Sequence, residues 1–195
     1  MLPVTVQRVQ DALLRRIRHR YVLYHARRQS ERALSRGTVN VILVLCYGNI
    51  YRSPLVEYLL RHSRKFVGVT IKSAGFFHKP GRPCDGDYLL ALKERGYDLS
   101  SHRSTVVSRD DLIAADIIII MDRKNWDQLR RLEPQTLEKV IWIGAFNPTG
   151  SVEVADPYGT GFRDTQEIIK QLENGADSIA RALPGLIKQK TNTPE

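Results

Sequence analysis

A chain of 195 residues with 42% hydrophobic content can pack one domain, which excludes wholesale disorder. No apolar run approaches the roughly 20 residues of a membrane-spanning helix, and two cysteines without a paired spacing argue against a disulfide scaffold. The net charge of +9 is concentrated at one end: Met1–Gly37 carries nine arginines against Asp11 and Glu31, leaving the remainder nearly balanced.

Val4 to about Leu34 reads as one helix. Val6, Val9, Leu13, Ile17, Tyr21 and Tyr24 recur at three- and four-residue intervals among the arginines, and Gly37 supplies a stop. Arginines interrupt every short apolar stretch, so no secretory leader is expected and the cytoplasm is the default address. Strands are then expected near Asn40–Leu45, Val69–Ser73, Ile117–Met121 and Val140–Ile143. Helices are expected near Ser53–Ser63, Asp85–Arg95, Asp110–Ala115, Arg123–Leu132 and Asp164–Leu183. This alternation predicts an α/β fold, a three-layer sandwich around a central four-stranded parallel sheet, preceded by a basic N-terminal helix. Residues 1–37 form the extension, 38–190 the domain and 191–195 a flexible tail.

The chemistry gathers at the end of the first strand. Val41 to Leu45 is apolar throughout and ends in Cys46; Tyr47-Gly48-Asn49-Ile50-Tyr51 leads to Arg52-Ser53-Pro54 and a helical pattern. Gly48 and Asn49 tolerate positive φ, and Pro54 suits a first helical turn. This order sets a thiol among backbone N–H groups beside a helix N-terminus, a place that binds tetrahedral oxyanions and favours a thiolate. Such a thiolate is a nucleophile aimed at phosphorus. The bland alternative for Cys46 is a buried residue closing a core strand.

Cys46-Tyr47-Gly48-Asn49-Ile50-Tyr51-Arg52-Ser53-Pro54 resembles the phosphate loop of the low-molecular-weight protein tyrosine phosphatases, and Ala155-Asp156-Pro157-Tyr158 resembles that family's second signature. Ser73-Ala74-Gly75, Gly96 to Ser104 and Asp116 to Asp122 look like further landmarks in the right order, from about Val39 to about Leu186. The resemblance implies a cysteine-dependent phosphatase acting on phosphotyrosine in proteins through a cysteinyl-phosphate. Cys46 would be the nucleophile, Arg52 the guanidinium that forks onto phosphate oxygens, and Asp156 the general acid and then base. The loop amides of Tyr47, Gly48, Asn49, Ile50 and Tyr51 would cradle the anion.

Ser53 has two readings, a hydroxyl donated to the sulfur or a simple helix cap. Tyr158 is expected as one aromatic wall; Phe76 and Phe77 are candidates for the opposite wall or for the core. In the family a strained loop asparagine is tied by a serine and a histidine, which match Ser73 and His102 as structural support for Asn49. No cluster of ligating residues has metal spacing, so neither a metal nor another cofactor is expected.

Two departures matter. Family members often carry a second cysteine where this chain has Tyr51, so reversible capture of an oxidised Cys46 by that neighbour is lost. Cys84 reads as an ordinary helix-entry residue. Ile50 stands where the related protein-arginine phosphatases are expected to have threonine, which favours phosphotyrosine. The redox cysteines of arsenate reductases sharing this fold are missing from Ile117 to Trp126. A phosphate-binding regulatory module without turnover is the alternative from another class. The partner would be a phosphotyrosine protein, a tyrosine kinase among the candidates. For the basic helix, peripheral contact with the inner membrane surface competes with packing on the domain or on a second copy. No nucleic-acid reader motif accompanies the charge.

Overall fold

The computed structural model describes residues 14, 17, 21, 24–35, 37–147 and 151–183. Four parallel strands, β1 (Val41–Cys46), β2 (Thr70–Gly75), β3 (Ile117–Ile120) and β4 (Val140–Trp142), lie in the order β2-β1-β3-β4. Helix α1 covers residues 24–34. It is followed by α2 (Arg52–Arg61), α3 (Gly86–Lys93), α4 (Arg109–Ala114), α5 (Arg123–Leu132) and α6 (Phe162–Ala182). All four expected strands are present, each within two residues of the bounds read from sequence.

The central strands read as unbroken apolar runs because both faces of the sheet are covered. Their side chains alternate between two cores, as a period of two requires. Ile42, Val44 and Cys46 of β1, with Ile117 and Ile119 of β3, join the core beneath α2, α3 and α6. Leu43, Leu45, Ile118 and Ile120 join the core on the α4 and α5 side. The alternation therefore puts the Cys46 side chain on the same side as α2, the helix that follows its loop.

Both outer strands are attended. At β2, the segment 105–107 runs alongside: Gly75 N–H donates to Thr105 O (2.9 Å) and Val107 N–H to Gly75 O (2.9 Å). At β4, α1 does the equivalent with side chains. Ser30 Oγ accepts the Trp142 N–H (3.0 Å) while donating to Ala26 O, and Gln29 Nε2 reaches Leu137 O (2.6 Å). Ala26 enters one core and Ala33 the other.

The helix expected from Val4 is thus seen in its C-terminal part, packed on the domain. Residues 14, 17 and 21 are also helical, whereas Leu13, Arg8, Arg15, Arg16, Arg18 and Arg20 lie outside the described residues, as does the tail 191–195. Leu14, Ile17, Tyr21 and Tyr24 are 63%, 57%, 63% and 53% exposed, so this apolar stripe is not covered by the domain.

Replacing Ser30 by alanine leaves the buried Trp142 amide without its acceptor. Ser30→Ala is expected to cost about 1–2 kcal/mol and to lower the melting temperature by about 2–8 °C. Thermal denaturation reads this directly, and an unchanged midpoint would show that the edge contact contributes nothing.

Candidate active site

Residues 46–52 carry the chain from β1 into α2, at the C-terminal end of the sheet where doubly wound folds place their ligands. The N-terminus of α2 has no side-chain cap and no acidic residue in its first turn. Asp85, Ser108 and Asp122 cap α3, α4 and α5. The positive end of α2 is therefore left to face the loop. Cys46 Sγ accepts two hydrogen bonds, from Asn49 N–H (3.2 Å) and from Ser53 Oγ (3.0 Å). Two donors thus converge on the sulfur from the loop and from α2. Ser53 lies inside α2 while Tyr51 holds the cap position, so its hydroxyl serves the thiol and not the helix end.

The loop's shape depends on Asn49. It has φ of +52°, a left-handed conformation that asparagine tolerates better than most residues. Gly48, expected to share this role, is absent from the positive-φ positions. The Asn49 side chain is fully buried and fully engaged. Its Nδ2 donates to Ser53 Oγ and Ser73 Oγ (both 2.9 Å), and its Oδ1 accepts the Thr105 N–H (2.8 Å). His102 Nε2 meets Asn49 O at 2.8 Å, and Ser73 Oγ in turn donates to Glu57 Oε2 (2.5 Å). Gly75 gives the loop room: a Cβ there would lie 2.8 Å from Tyr47 O and 2.9 Å from Asn49 N.

Arg52 is 1% exposed and sits between two acids. Its Nη1 donates to Asp122 Oδ2 (2.5 Å) and Val154 O (3.0 Å), and its Nη2 to Asp156 Oδ2 (2.6 Å). Burial works against the guanidinium's charge, but Cys46, Asp122 and Asp156 outweigh it and push its pKa above the ordinary value. Both protons of Nη1 are committed. Nε is buried without a partner among the described residues, so the Nε–Nη2 edge is the fork left for an anion.

Cys46, Tyr47, Gly48, Ile50, Tyr51, Phe77, Arg82, Asp156 and Tyr158 surround one pocket of about 240 Å³. Phe77 lies against Tyr47 (centroids 5.9 Å apart) and Tyr158 stands across the mouth. Phe76 does not line it; it packs against the core on the α4 and α5 side. Tyr51 contacts Tyr88 edge-to-face at 5.1 Å. Burial, then the Asp85 carboxylate that holds its hydroxyl, raises the Tyr51 pKa to about 12, so the ring stays neutral. Among the described residues no group of three or more potential ligands could hold a metal ion.

Sequence reasoning missed Arg82, whose Nη2 donates to Gly48 O (2.5 Å) while its guanidinium lies over the Phe77 ring at 4.2 Å. It also gave no role to Asp122, Thr105 or Glu57. Asp122 was visible only as the last residue of a landmark, and its capping of Asn125 N–H (2.8 Å) conceals the bond to Arg52.

The sequence model of the family described as low molecular weight phosphotyrosine protein phosphatase matches residues 41–190. A probable low molecular weight protein-tyrosine-phosphatase, EpsP of Ralstonia nicotianae, is 30% identical over 140 residues, covering 72% of this chain and 93% of that protein. Wzb of Escherichia coli K12, named a low molecular weight protein-tyrosine-phosphatase, is 30% identical over 144 residues, covering 74% and 95%. In three dimensions the chain is similar to the Erwinia amylovora tyrosine phosphatase AmsI. The TM-score is 0.70 at 31% identity, covering 76% of this chain and 96% of that one. It is also similar to the YwlE arginine phosphatase of Geobacillus stearothermophilus, with a TM-score of 0.67 at 27% identity and coverage of 75% and 94%.

The two thiols should differ in reactivity. Burial, and then the charge of Cys46, pushes the Cys84 thiol up to about 12, so it stays protonated at neutral pH. Iodoacetamide at pH 7–8 is therefore expected to label Cys46 and spare Cys84, as read by peptide mass spectrometry. Sustained peroxide should carry Cys46 to acids that dithiothreitol recovers poorly. Full recovery traced to a Cys46–Cys84 crosslink would show that Cys84 can resolve an oxidised Cys46.

Proposed function

This chain belongs to the low molecular weight phosphotyrosine protein phosphatase family, and from that premise we propose how its own residues carry the reaction. It is a cysteine-dependent hydrolase acting on phosphotyrosine in proteins. The observation that supports the assignment of roles is the thiol of Cys46, held by the Asn49 amide and the Ser53 hydroxyl, beside a buried Arg52 paired with Asp156. Residues 38–190 form the phosphatase domain in this reading.

A phosphate monoester enters with its ring between Tyr158 and Phe77, and its oxygens meet the loop amides and the Nε–Nη2 edge of Arg52. Its charge competes for the same guanidinium and releases Asp156 from the ion pair; the freed carboxylate takes up a proton from solvent and turns to the leaving oxygen. The Cys46 thiolate attacks phosphorus; the S–P bond forms as the P–O ester bond breaks, and Asp156 gives its proton to the departing tyrosine oxygen. Asp156 then takes a proton from a water that attacks phosphorus. The S–P bond breaks, and phosphate leaves with the thiolate restored. Asn49, Ser73 and His102 hold the loop in the shape this chemistry needs, and Ser53 keeps a hydroxyl on the sulfur.

Ile50 turns an apolar side chain to the pocket, together with the rings of Tyr47, Tyr51, Phe77 and Tyr158. That lining suits a phenyl ring better than the cationic guanidinium of a phosphoarginine. The tyrosine reading is therefore preferred over the arginine one. The partner is a protein bearing phosphotyrosine, and a tyrosine kinase that phosphorylates itself fits the class.

No helix among the described residues is long and apolar enough to cross a membrane. We place the protein in the cytoplasm, with Leu14, Ile17, Tyr21 and Tyr24 forming a peripheral contact on an anionic bilayer. Their exposure, in a segment with nine arginines, supports this. Because α1 packs on the domain through Ala26, Ser30 and Ala33, self-association through the same stripe is the competing use.

Hydrolysis of p-nitrophenyl phosphate is expected to vanish in Cys46→Ser, and activity surviving that change would refute the thiolate mechanism. Asp156→Ala should lower kcat by about 10²–10⁴-fold while still capturing phosphotyrosine peptides; loss of binding instead would make Asp156 a binding group.

On vesicles containing an anionic phospholipid, the wild-type chain should float in low salt. The double variant Leu14→Glu, Ile17→Glu should not, whereas equal flotation of both would remove the membrane contact.

A further inference from the structure

A second, larger cavity of about 600 Å³ adjoins the catalytic pocket. Tyr51 and Tyr158 line both, their rings nearly perpendicular with centroids 6.5 Å apart, so they form a shared partition. The neighbour differs sharply in character. Asp85 and Asp87 line it and no lysine, arginine or histidine does, on a chain with 30 lysines and arginines. Neither carboxylate has an ion-pair partner among the described residues. Asp85 is partly occupied, since Oδ1 accepts the N–H groups of Asp87 and Tyr88 and the carboxylate also holds the Tyr51 hydroxyl.

Tyr88 lines the same cavity and is 1% exposed, giving it a rigid aromatic wall. Around the rim, Leu90, Tyr158 and Phe162 are each more than half exposed, an apolar collar on an otherwise charged surface.

We propose that this cavity binds a lysine or arginine side chain of the substrate protein, at a position flanking the phosphotyrosine. The proposal rests on the tyrosine-phosphatase reading above. An aliphatic stem would lie on Leu90, Phe162 and Tyr158, as long cationic side chains do on apolar surface. The cation would meet Asp85 and Asp87 and the faces of Tyr51 and Tyr158. Arg82, on the far side of the partition in the catalytic pocket, repels the same cation and so fixes its direction. Substrate selection then comes from a polarity across the partition, anion on one side and cation on the other.

The test uses phosphotyrosine peptides identical except for one flanking residue, lysine, alanine or glutamate, scanned on both sides of the tyrosine. Each kcat/KM is divided by that for p-nitrophenyl phosphate. At one or more positions the lysine peptide should exceed the alanine peptide by about three- to tenfold, and the glutamate peptide should fall below it. The preference should shrink as salt rises. In the double variant Asp85→Asn, Asp87→Asn, which keeps a capping side chain at position 85, the lysine-to-alanine ratio should drop to within about twofold. Equal turnover of all peptides by the wild type, or a preference unmoved by the double variant, overturns the proposal. Binding of the same peptides to Cys46→Ser, read without turnover, keeps two failures apart. Peptides bound and hydrolysed without flanking preference remove the subsite alone. A chain that neither binds nor hydrolyses any of them removes the phosphatase reading together with the subsite.

Discussion

A guanidinium sealed in a protein interior must be matched by opposite charge, and Arg52 obeys this by holding Asp122 and Asp156 at once. The two acids lie 70 and 104 residues further along the chain. One ends the third strand's segment and caps the helix after it; the other lies on the long connection to the last helix. A single buried cation thereby fastens three distant stretches around the thiol. The same group that organises the site also binds the substrate, so the assembled ion pair is a resting arrangement that an incoming dianion reorganises.

The loop itself is rigid for a different reason. Asn49 is left-handed, and its side chain and carbonyl are answered by groups beyond the loop: Ser53, Ser73, Thr105 and His102. With Gly75 giving no Cβ to collide with Tyr47 and Asn49, the backbone amides are fixed before any ligand arrives. Donors held in place beforehand need no reorganisation when charge develops, which is where most of the benefit of an anion-binding loop arises.

Much of the architecture could be read from local pattern. Four successive isoleucines, Ile117 to Ile120, could only be a strand covered on both faces, and all four are buried. The Cys46-to-Pro54 stretch carried its strand, loop and helix start in its own residues. What stayed hidden was what depends on distance. Arg82 sits in an unpatterned Pro-Gly-Arg-Pro turn, yet it reaches a carbonyl of the phosphate loop. Asp122 has an ordinary local duty as a helix cap and a long-range one invisible in sequence. Phe76 and Phe77 could not be told apart, because adjacent residues leaving a strand diverge to opposite sides and only the packing shows which faces the ligand.

The hydroxyl of Ser30 on the Trp142 amide has a practical reach beyond stability. Family resemblance begins at residue 41, which invites trimming everything before it. Such a truncated protein would present the backbone of its last strand bare, with two vacated alanine seats alongside. A naked strand of this kind is a template onto which another molecule's strand can add, and proteins normally block it. For this chain the helix before the first strand covers that edge at the Trp142 amide, and cutting it away would uncover the edge while leaving every catalytic residue in the chain.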